Sequence, residues 1–299
     1  MQSLRDIRRE IKAINATRQI MLTMKHISAA RIRRAQQQME QGRPFAQKMA
    51  MMIDNLRQDI QAEDSLVRQT AAYKFFDETN ADKGGALLLL ITADKGLCGA
   101  FNTIAIREAL RWIKANEHIE KYIFVIGRKG RDFLARLKMP NLHIVGELTG
   151  VFPRTNYAHA AIVQEQIVEL FEQGKITRVD LIYNNFKSMA AQTLVSKTFL
   201  PFDFDEIEGE EDLSDFIFEP DILEIFLTLA PRYIGSNIYR FLLESQAAEL
   251  AARMNAMEAA AKNAGDILDD LKVKLNKVRQ ESITKELTEI IGGAAALNG

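Results

Sequence analysis

The stretch "LLESQAAELAARMNAMEAAAKNAGDILDDLKVKLNKV", residues 242–278, decides the fold of this chain. A heptad repeat sustained over this length is typical of a coiled coil and not of an ordinary core helix. The stretch therefore predicts a long helix with an apolar stripe that needs a partner helix. The residues of the stripe step by four and three: Leu243, Ala247, Leu250, Met254, Met257, Ala261, Ala264, Leu268, Leu271, Leu275 and Val278.

The N-terminal end of the chain offers the partner helix. It carries a weaker heptad stripe, which Arg18, Lys25 and Ser28 interrupt. The first 43 residues and the last 68 contain no proline, so both ends are free to form long helices, with a weak point or bend at "EQGRPF", 40–45. If both ends leave one central domain side by side, the pair is antiparallel. The N-terminal stripe consists of Leu4, Ile7, Ile11, Ile14, Met21, Ile32, Ala35 and Met39.

The middle of the chain alternates between strand and helix patterns, which predicts a mostly parallel sheet covered by helices. Strands are predicted at 86–93, 121–127, 142–147 and 178–186, with an edge strand at 193–200, and helices at 103–116, 129–137 and 156–173. The predicted fold class is α/β: a Rossmann-like domain inserted between the N- and C-terminal helices of a long antiparallel coiled coil. The predicted divisions are an N-terminal helix at 1–60, the Rossmann-like domain at 70–202, an acidic linker or foot at 203–221 and a C-terminal helix at 222–299, continuous from about Arg232.

Composition narrows the class of protein. The chain has 299 residues, a net charge of −1 and one cysteine, which exclude an intrachain disulfide framework and give no sign of a polyanionic partner. No apolar run reaches the length of a membrane span. The segment 203–221 holds ten acidic residues and no basic one, as is typical of a solvated linker.

The stretch "ITADKGLCGAFN", 91–102, has the layout of a phosphate-binding loop, because Gly96 and Gly99 follow an apolar run and precede a helix. It lacks the Walker spacing and the third glycine of a dinucleotide fingerprint, so a tight turn is the favoured interpretation. A nucleotide-dependent enzyme using this turn stays an alternative. Cys98 has no base nearby in sequence and the four histidines show no metal spacing, so no catalytic site and no cofactor are predicted.

Residues 1–35 carry nine Arg or Lys against two acidic residues. This basic helix could be a solvated coiled-coil face, or a shaft that meets an acidic protein surface. Nucleic-acid binding is disfavoured, because aromatic stacking partners and a docking motif are missing. The tail "IIGGAAAL", 290–297, is apolar where a chain end is normally polar, which indicates an interaction site.

Four stretches resemble parts of the gamma subunits of F-type ATP synthases. "SQAAELAARMNAMEAAAKNAGDILDDL" and "NKVRQESITKELTEIIGGAAAL" resemble their C-terminal helix, "IRREIKAINATRQIMLTMKHISAARIRRAQ" their N-terminal helix, and "ITADKGLCGAFN" the turn of their central domain. The resemblance implies a non-catalytic central-stalk rotor that couples ion-driven rotation of the c ring to conformational cycling of the catalytic hexamer. The implied partners are three alpha and three beta subunits, the epsilon subunit and the c ring. Membrane contact runs only through the c ring, at the cytoplasmic face of the bacterial plasma membrane, and no nucleic acid is involved.

The resemblance also implies residue roles, by motif position. The implied coupling contacts with the hexamer are Met24, Lys25, Arg253, Gln280, Thr284 and Glu289. The implied bearing tail contains Ile290, Ile291 and Leu297, and the implied c-ring foot contains Phe216, Phe218 and Glu219. Ordinary coiled-coil packing remains an alternative for Met24, and a surface salt bridge remains one for Arg253. A passive coiled-coil scaffold remains an alternative for the whole chain.

Overall fold

The computed structural model describes residues 3–63, 70–76, 81, 83–137, 139–202 and 221–297. Its contacts divide the chain into two compact units, a central unit Ala29–Arg253 and a terminal unit of Met1–Ser28 with Met254–Gly299. The elements in chain order are α1 (Leu4–Glu63), α2 (Ala71–Lys74), β1 (Gly85–Ile91), α3 (Phe101–Ala115), β2 (Lys121–Ile126), α4 (Arg128–Leu134), β3 (Leu142–Leu148), α5 (Tyr157–Glu172), β4 (Ile176–Phe186), β5 (Gln192–Leu200) and α6 (Ile222–Leu297).

The central unit is built on a five-stranded sheet in the order β3-β2-β1-β4-β5. The first four strands are parallel, and β5 joins the edge antiparallel to β4. Helices α3, α4 and α5 connect the parallel strands, as parallel pairing requires. The predicted strands, the predicted edge strand and the predicted helices between them are therefore confirmed, with small shifts at their ends.

Strand β1 lies in the middle of the sheet and is buried along its whole length. Because successive side chains point to opposite faces, its leucines serve two separate cores. Leu88 and Leu90 pack with Trp112 and other residues of α3. Leu87 and Leu89 pack on the opposite face, in a cluster that also contains residues of α5 and of α6. The first part of α6 is therefore a core element of the central unit.

Both long helices continue through a proline. Helix α1 runs past Pro44, inside the predicted weak point at 40–45, and ends at Glu63. Helix α6 begins at Ile222, earlier than the predicted Arg232, and contains Pro231. An internal proline removes one helical hydrogen bond, and at Pro231 core packing of the flanking turns offsets that loss. The flanking residues Phe226, Ala230 and Ile234 are each fully buried. Among the described helices, none is both long and apolar enough to cross a membrane.

The terminal unit is an antiparallel helix pair. Lys25 Nζ lies 2.7 Å from Glu258 Oε1, and the guanidinium of Arg18 lies beside Gly265. Moving back along α1 thus moves forward along α6, which confirms the predicted antiparallel coiled coil. The heptad stripe of α6 faces inward, because Met257, Ala261, Ala264, Leu268 and Leu271 are all buried.

Candidate functional site

The turn between β1 and α3 lies at the carboxyl edge of the sheet, where open α/β sheets bind ligands. Here Asp94 Oδ1 accepts hydrogen bonds from the backbone amides of Arg128, at 3.1 Å, and Gly150, at 2.9 Å. This carboxylate occupies amides that follow β2 and β3, and its negative charge repels a phosphate. The geometry supports a structural turn over the nucleotide-dependent alternative. Among the described residues, no cluster of His, Cys, Asp or Glu could hold a metal ion.

Cys98 is buried within this turn and is held by two neighbours. Its thiol contacts the Lys95 carbonyl oxygen at 3.7 Å, and Asn102 Nδ2 donates to its Sγ at 3.3 Å. Burial raises the pKa of Cys98, and the nearby Glu249 raises it further. A thiol kept protonated in this way is a poor nucleophile, which argues against a catalytic role for Cys98.

Arg253 of α6 reaches this same turn. Its Nη1 donates to the Gly96 carbonyl oxygen at 2.8 Å, and its Nε donates to Glu249 Oε1 at 3.1 Å. A second guanidinium nitrogen, Nη2, also donates to Glu249. The side chains of Arg253 and Glu249 are only 12% and 6% exposed, so this is a buried ion pair and not a surface salt bridge. Arg253, which the resemblance implies as a contact with the hexamer, is hydrogen-bonded to residues of its own chain.

Met24 and Lys25 lie on α1 in the terminal unit and are both half-buried. Lys25 pairs with Glu258, whose side chain is 58% exposed. Such a pair remains open to solvent and to a partner's acidic groups. The partial burial of Met24 is compatible both with coiled-coil packing and with a partner contact.

The other residues that the resemblance implies as hexamer contacts or as the bearing tail lie at the end of α6. If the antiparallel register is extended, Leu4, where α1 begins, faces the turn of α6 around Arg279. From Arg279 to Gly293 every side chain except that of Ser282 is exposed, including those of Gln280, Thr284 and Glu289. This stretch, residues 279–293, forms the uncovered segment of α6.

The uncovered segment carries an apolar face. Ile283 and Leu287 are 50% and 54% exposed, and Ile290 and Ile291 are each 67% exposed. Their spacing places these four residues on one side of the helix. Leu297 ends α6, and its side chain is not among those described. The implied foot residues Phe216, Phe218 and Glu219 lie outside the described residues.

Two features of the site could not be found by sequence reasoning. Glu249 and Arg253 stand at the spacing of a common surface helix pair, and only the fold shows that they are buried. Leu97 is a non-glycine residue at φ 64°, and its side chain is 66% exposed at the tip of the turn. The signal available for Leu97 was its place between two glycines in a strand-to-helix connection.

The sequence matches the family model described as ATP synthase over residues 3–297. It is 50% identical to the ATP synthase gamma chain of Elusimicrobium minutum over 302 aligned residues, which cover the whole of both chains. It is 37% identical to the ATP synthase gamma chain of Chlorobium phaeobacteroides, again over the whole of both chains.

Solved structures give the same result for the fold. A chain of the central stalk and c-ring structure of Tetrahymena thermophila mitochondrial ATP synthase matches with a TM-score of 0.59 and 27% identity, covering 81% of this chain and 99% of that one. A chain from a Euglena gracilis mitochondrial ATP synthase structure matches with a TM-score of 0.64 and 20% identity, covering 98% of this chain and 94% of that one.

Proposed function

The chain belongs to the ATP synthase gamma-chain family, and from this premise we propose that it is a non-catalytic rotor that couples rotation to catalysis elsewhere in the complex. As a gamma chain it is a central-stalk subunit of ATP synthase. Its proposed partners are three alpha and three beta subunits around its helices, the epsilon subunit and the c ring. With this function we propose the division predicted from the sequence, with helices at 1–60 and 222–299, the Rossmann-like domain at 70–202 and the acidic linker or foot at 203–221.

The observation that carries the proposal is the uncovered segment of α6. Four apolar side chains are exposed there in one stripe, beyond the point where α1 of the same chain covers the helix. A large exposed apolar face marks an interaction site. The hexamer of alpha and beta subunits is the partner we propose for it, with Ile290, Ile291 and Leu297 held in an apolar bearing.

The coupling mechanism follows from symmetry. One asymmetric shaft inside a ring of three beta subunits cannot make the same contacts with each of them. A partner shifts a conformational equilibrium only by the difference between its contacts with the two states. Each rotor orientation therefore stabilises a different set of conformations at the catalytic sites, and rotation changes their nucleotide affinities in turn.

The residues proposed to make these contacts are distributed along both helices. Met24 and Lys25 would meet an acidic surface of a beta subunit, which gives the basic N-terminal helix its partner. Gln280, Thr284 and Glu289 would make polar contacts from the uncovered segment, and Arg253 would affect coupling from the turn. Phe216, Phe218 and Glu219 are proposed for the foot on the c ring.

The absence of chemistry in this subunit is part of the proposal. The Asp94 carboxylate fills the amides at the sheet edge, and the raised pKa of Cys98 keeps its thiol protonated. The proposed site of the chain is the cytoplasmic face of the bacterial plasma membrane. It is a peripheral subunit there, which contacts the membrane only through the c ring and carries no cofactor.

Stoichiometry in the native complex tests the proposal. Complexes purified through a tag on the beta subunit of the same organism should contain one copy of this chain for three beta and three alpha subunits, with epsilon and c. Purified complexes that lack this chain, or that hold it as a symmetric dimer, would reject a rotor function.

A pair of variants tests the uncovered segment. Changing Ile290 and Ile291 together to asparagine should lower assembly with alpha and beta subunits. Val273→Asn is the matched control, because Val273 is equally apolar and 70% exposed but lies where α1 runs alongside α6. Equal losses in both variants would mean that the uncovered segment has no special role.

A further inference from the structure

We propose that Arg253 is a positioning residue for the turn between β1 and α3, and that its effect on rotor coupling runs through that turn. The proposal rests on the proposed function, because coupling is the property that the turn affects. It differs from a direct contact between Arg253 and the hexamer, which is what the motif position alone implies.

The contacts of Arg253 link the turn to Glu249 of α6. Its guanidinium binds the Gly96 carbonyl oxygen at 2.8 Å on one side and the Glu249 carboxylate on the other. The planar fork of an arginine can hold a carboxylate and a carbonyl together, which a flexible ammonium group does less well. Glu249 thus orients Arg253, and Arg253 holds Gly96.

The backbone of the turn has an unfavourable conformation at Leu97. Leu97, directly after Gly96, has a φ of 64°, a left-handed value that costs a non-glycine residue free energy. Such a conformation persists only where surrounding contacts enforce it. Within the domain, Asn102 Nδ2 donates to the Lys95 carbonyl oxygen at 3.3 Å. The bond from Arg253 adds a hydrogen-bonded restraint from α6.

Beneath the turn, buried side chains pack against α6. Ala93, Cys98 and Phe101 form a small buried cluster with Ala248 of α6. The turn therefore lies against the same face of the helix that presents Glu249 and Arg253. Its outer side presents Lys95 and Leu97, both of which are exposed. Arg253 fixes where these two side chains stand relative to α6.

The buried thiol supplies the test. Cys98 is the sole cysteine of the sequence and is 1% exposed, so its alkylation by a small maleimide reports opening of the turn. In the full chain, Arg253→Met should raise the alkylation rate of Cys98 by about tenfold to a hundredfold, the change expected for loss of a hydrogen bond to a charged group. In vesicles containing the complex, the same variant should lower ion uptake per ATP hydrolysed.

Matched variants provide controls whose results could contradict the proposal. Arg240→Met removes another α6 arginine that pairs with a glutamate four residues on, at 3.2 Å, and it should change neither reading. Arg253→Met with Glu249→Gln also removes the buried carboxylate. This double variant gives the same reading if the single variant does not fold. Arg253→Lys should show an intermediate alkylation rate.

The alkylation rate of Cys98 and the ion uptake per ATP hydrolysed together distinguish this proposal from direct contact with the hexamer. Lost coupling with an unchanged alkylation rate would overturn the proposal in favour of direct contact with the hexamer. A raised alkylation rate with unchanged coupling would also overturn it, since the turn would then not transmit the effect. A complex that lacks this chain would reject the proposed function, while alkylation of the isolated full chain would still test the bond between Arg253 and Gly96.

Discussion

The early and late parts of α6 show opposite exceptions to the rule that apolar side chains are buried and polar ones exposed. In the central unit, Glu244, Gln246 and Glu249 are all buried. In the uncovered segment, Leu287 and Ile290 are both exposed. The same helix therefore buries charge in one stretch and exposes apolar surface in another.

The two parts of α6 differ in whether the exceptional side chains have partners within the chain. The buried groups have partners within the chain: Tyr183 donates to Glu244 at 2.6 Å, and Thr155 donates to Gln246 at 2.7 Å. Buried polar groups are tolerated when they are hydrogen-bonded in this way. The apolar face of the uncovered segment is exposed among the described residues, and an exposed apolar face of this kind marks an interaction site. The polar groups of the first stretch are satisfied within this chain, whereas the apolar side chains of the second stay exposed in the part of the chain that the structure describes.

The largest expected effect separates the two stretches by stability. Phe241 is buried against Tyr183 and Phe199, with ring centroids at 5.2 Å and 5.3 Å. Phe241→Ala should lower the free energy of unfolding in urea by about 3–5 kcal/mol, because it leaves a cavity in the core. Ile290→Ala should change it by less than about 0.5 kcal/mol, because the side chain is exposed. A similar loss in both variants would remove the distinction.

A second effect concerns the buried carboxyl of Glu249. Burial raises its pKa, while Arg253 and Arg31 lower it and Asp94 raises it. The folded chain then retains a proton at pH values where the unfolded chain has lost it. The free energy of unfolding should therefore fall as the pH rises above the usual range of a glutamate, by at most about 1.4 kcal/mol per pH unit for one proton.

Urea unfolding across a pH series checks this sign. Glu249→Gln should remove that part of the slope. Glu258→Gln should leave it unchanged, because Glu258 is 58% exposed. If the two variants have the same slope, the raised pKa of Glu249 does not contribute to stability.

The smallest expected effect belongs to the pair of Lys25 with Glu258. The two side chains are 29% and 58% exposed, so Lys25→Gln should cost less than about 1 kcal/mol of unfolding free energy. High salt should remove most of that cost. Lys272→Gln, which breaks the exposed pair with Asp269 at 2.8 Å, is the control for stability.

The assembled complex sharpens this last comparison. If Lys25 meets an acidic surface of a beta subunit, Lys25→Gln lowers coupling by more than its stability effect accounts for. The comparison is with Lys272→Gln, measured as ion uptake per ATP hydrolysed. Equal coupling in the two variants would count against Lys25 as a contact.

Local sequence patterns predicted the structure correctly where the regular spacing of apolar residues indicates which side chains are buried. The uninterrupted heptads of α6 predicted the buried stripe through Met257 and Leu268, and the apolar run at 86–93 predicted the strand β1. Prolines were less informative, because α6 extends through Pro231 when both flanking turns pack into the core. The roles implied for Gln280, Thr284 and Glu289 stay predictions, since they depend on proteins outside this chain.

The sequence by itself determined the coiled coil, the strand order along the chain and the family, because period and motif are properties of consecutive residues. Only the tertiary structure decided that Glu249 and Arg253 form a buried pair and that Arg253 reaches the Gly96 carbonyl oxygen. It also decided that Asp94 fills the amides at the sheet edge. The bonds of Arg253 to Gly96 and of Asp94 to the amides at the sheet edge join residues far apart in sequence, which no local pattern records. The Glu249–Arg253 pair has a local spacing, but its burial comes from the packing of the rest of the central unit.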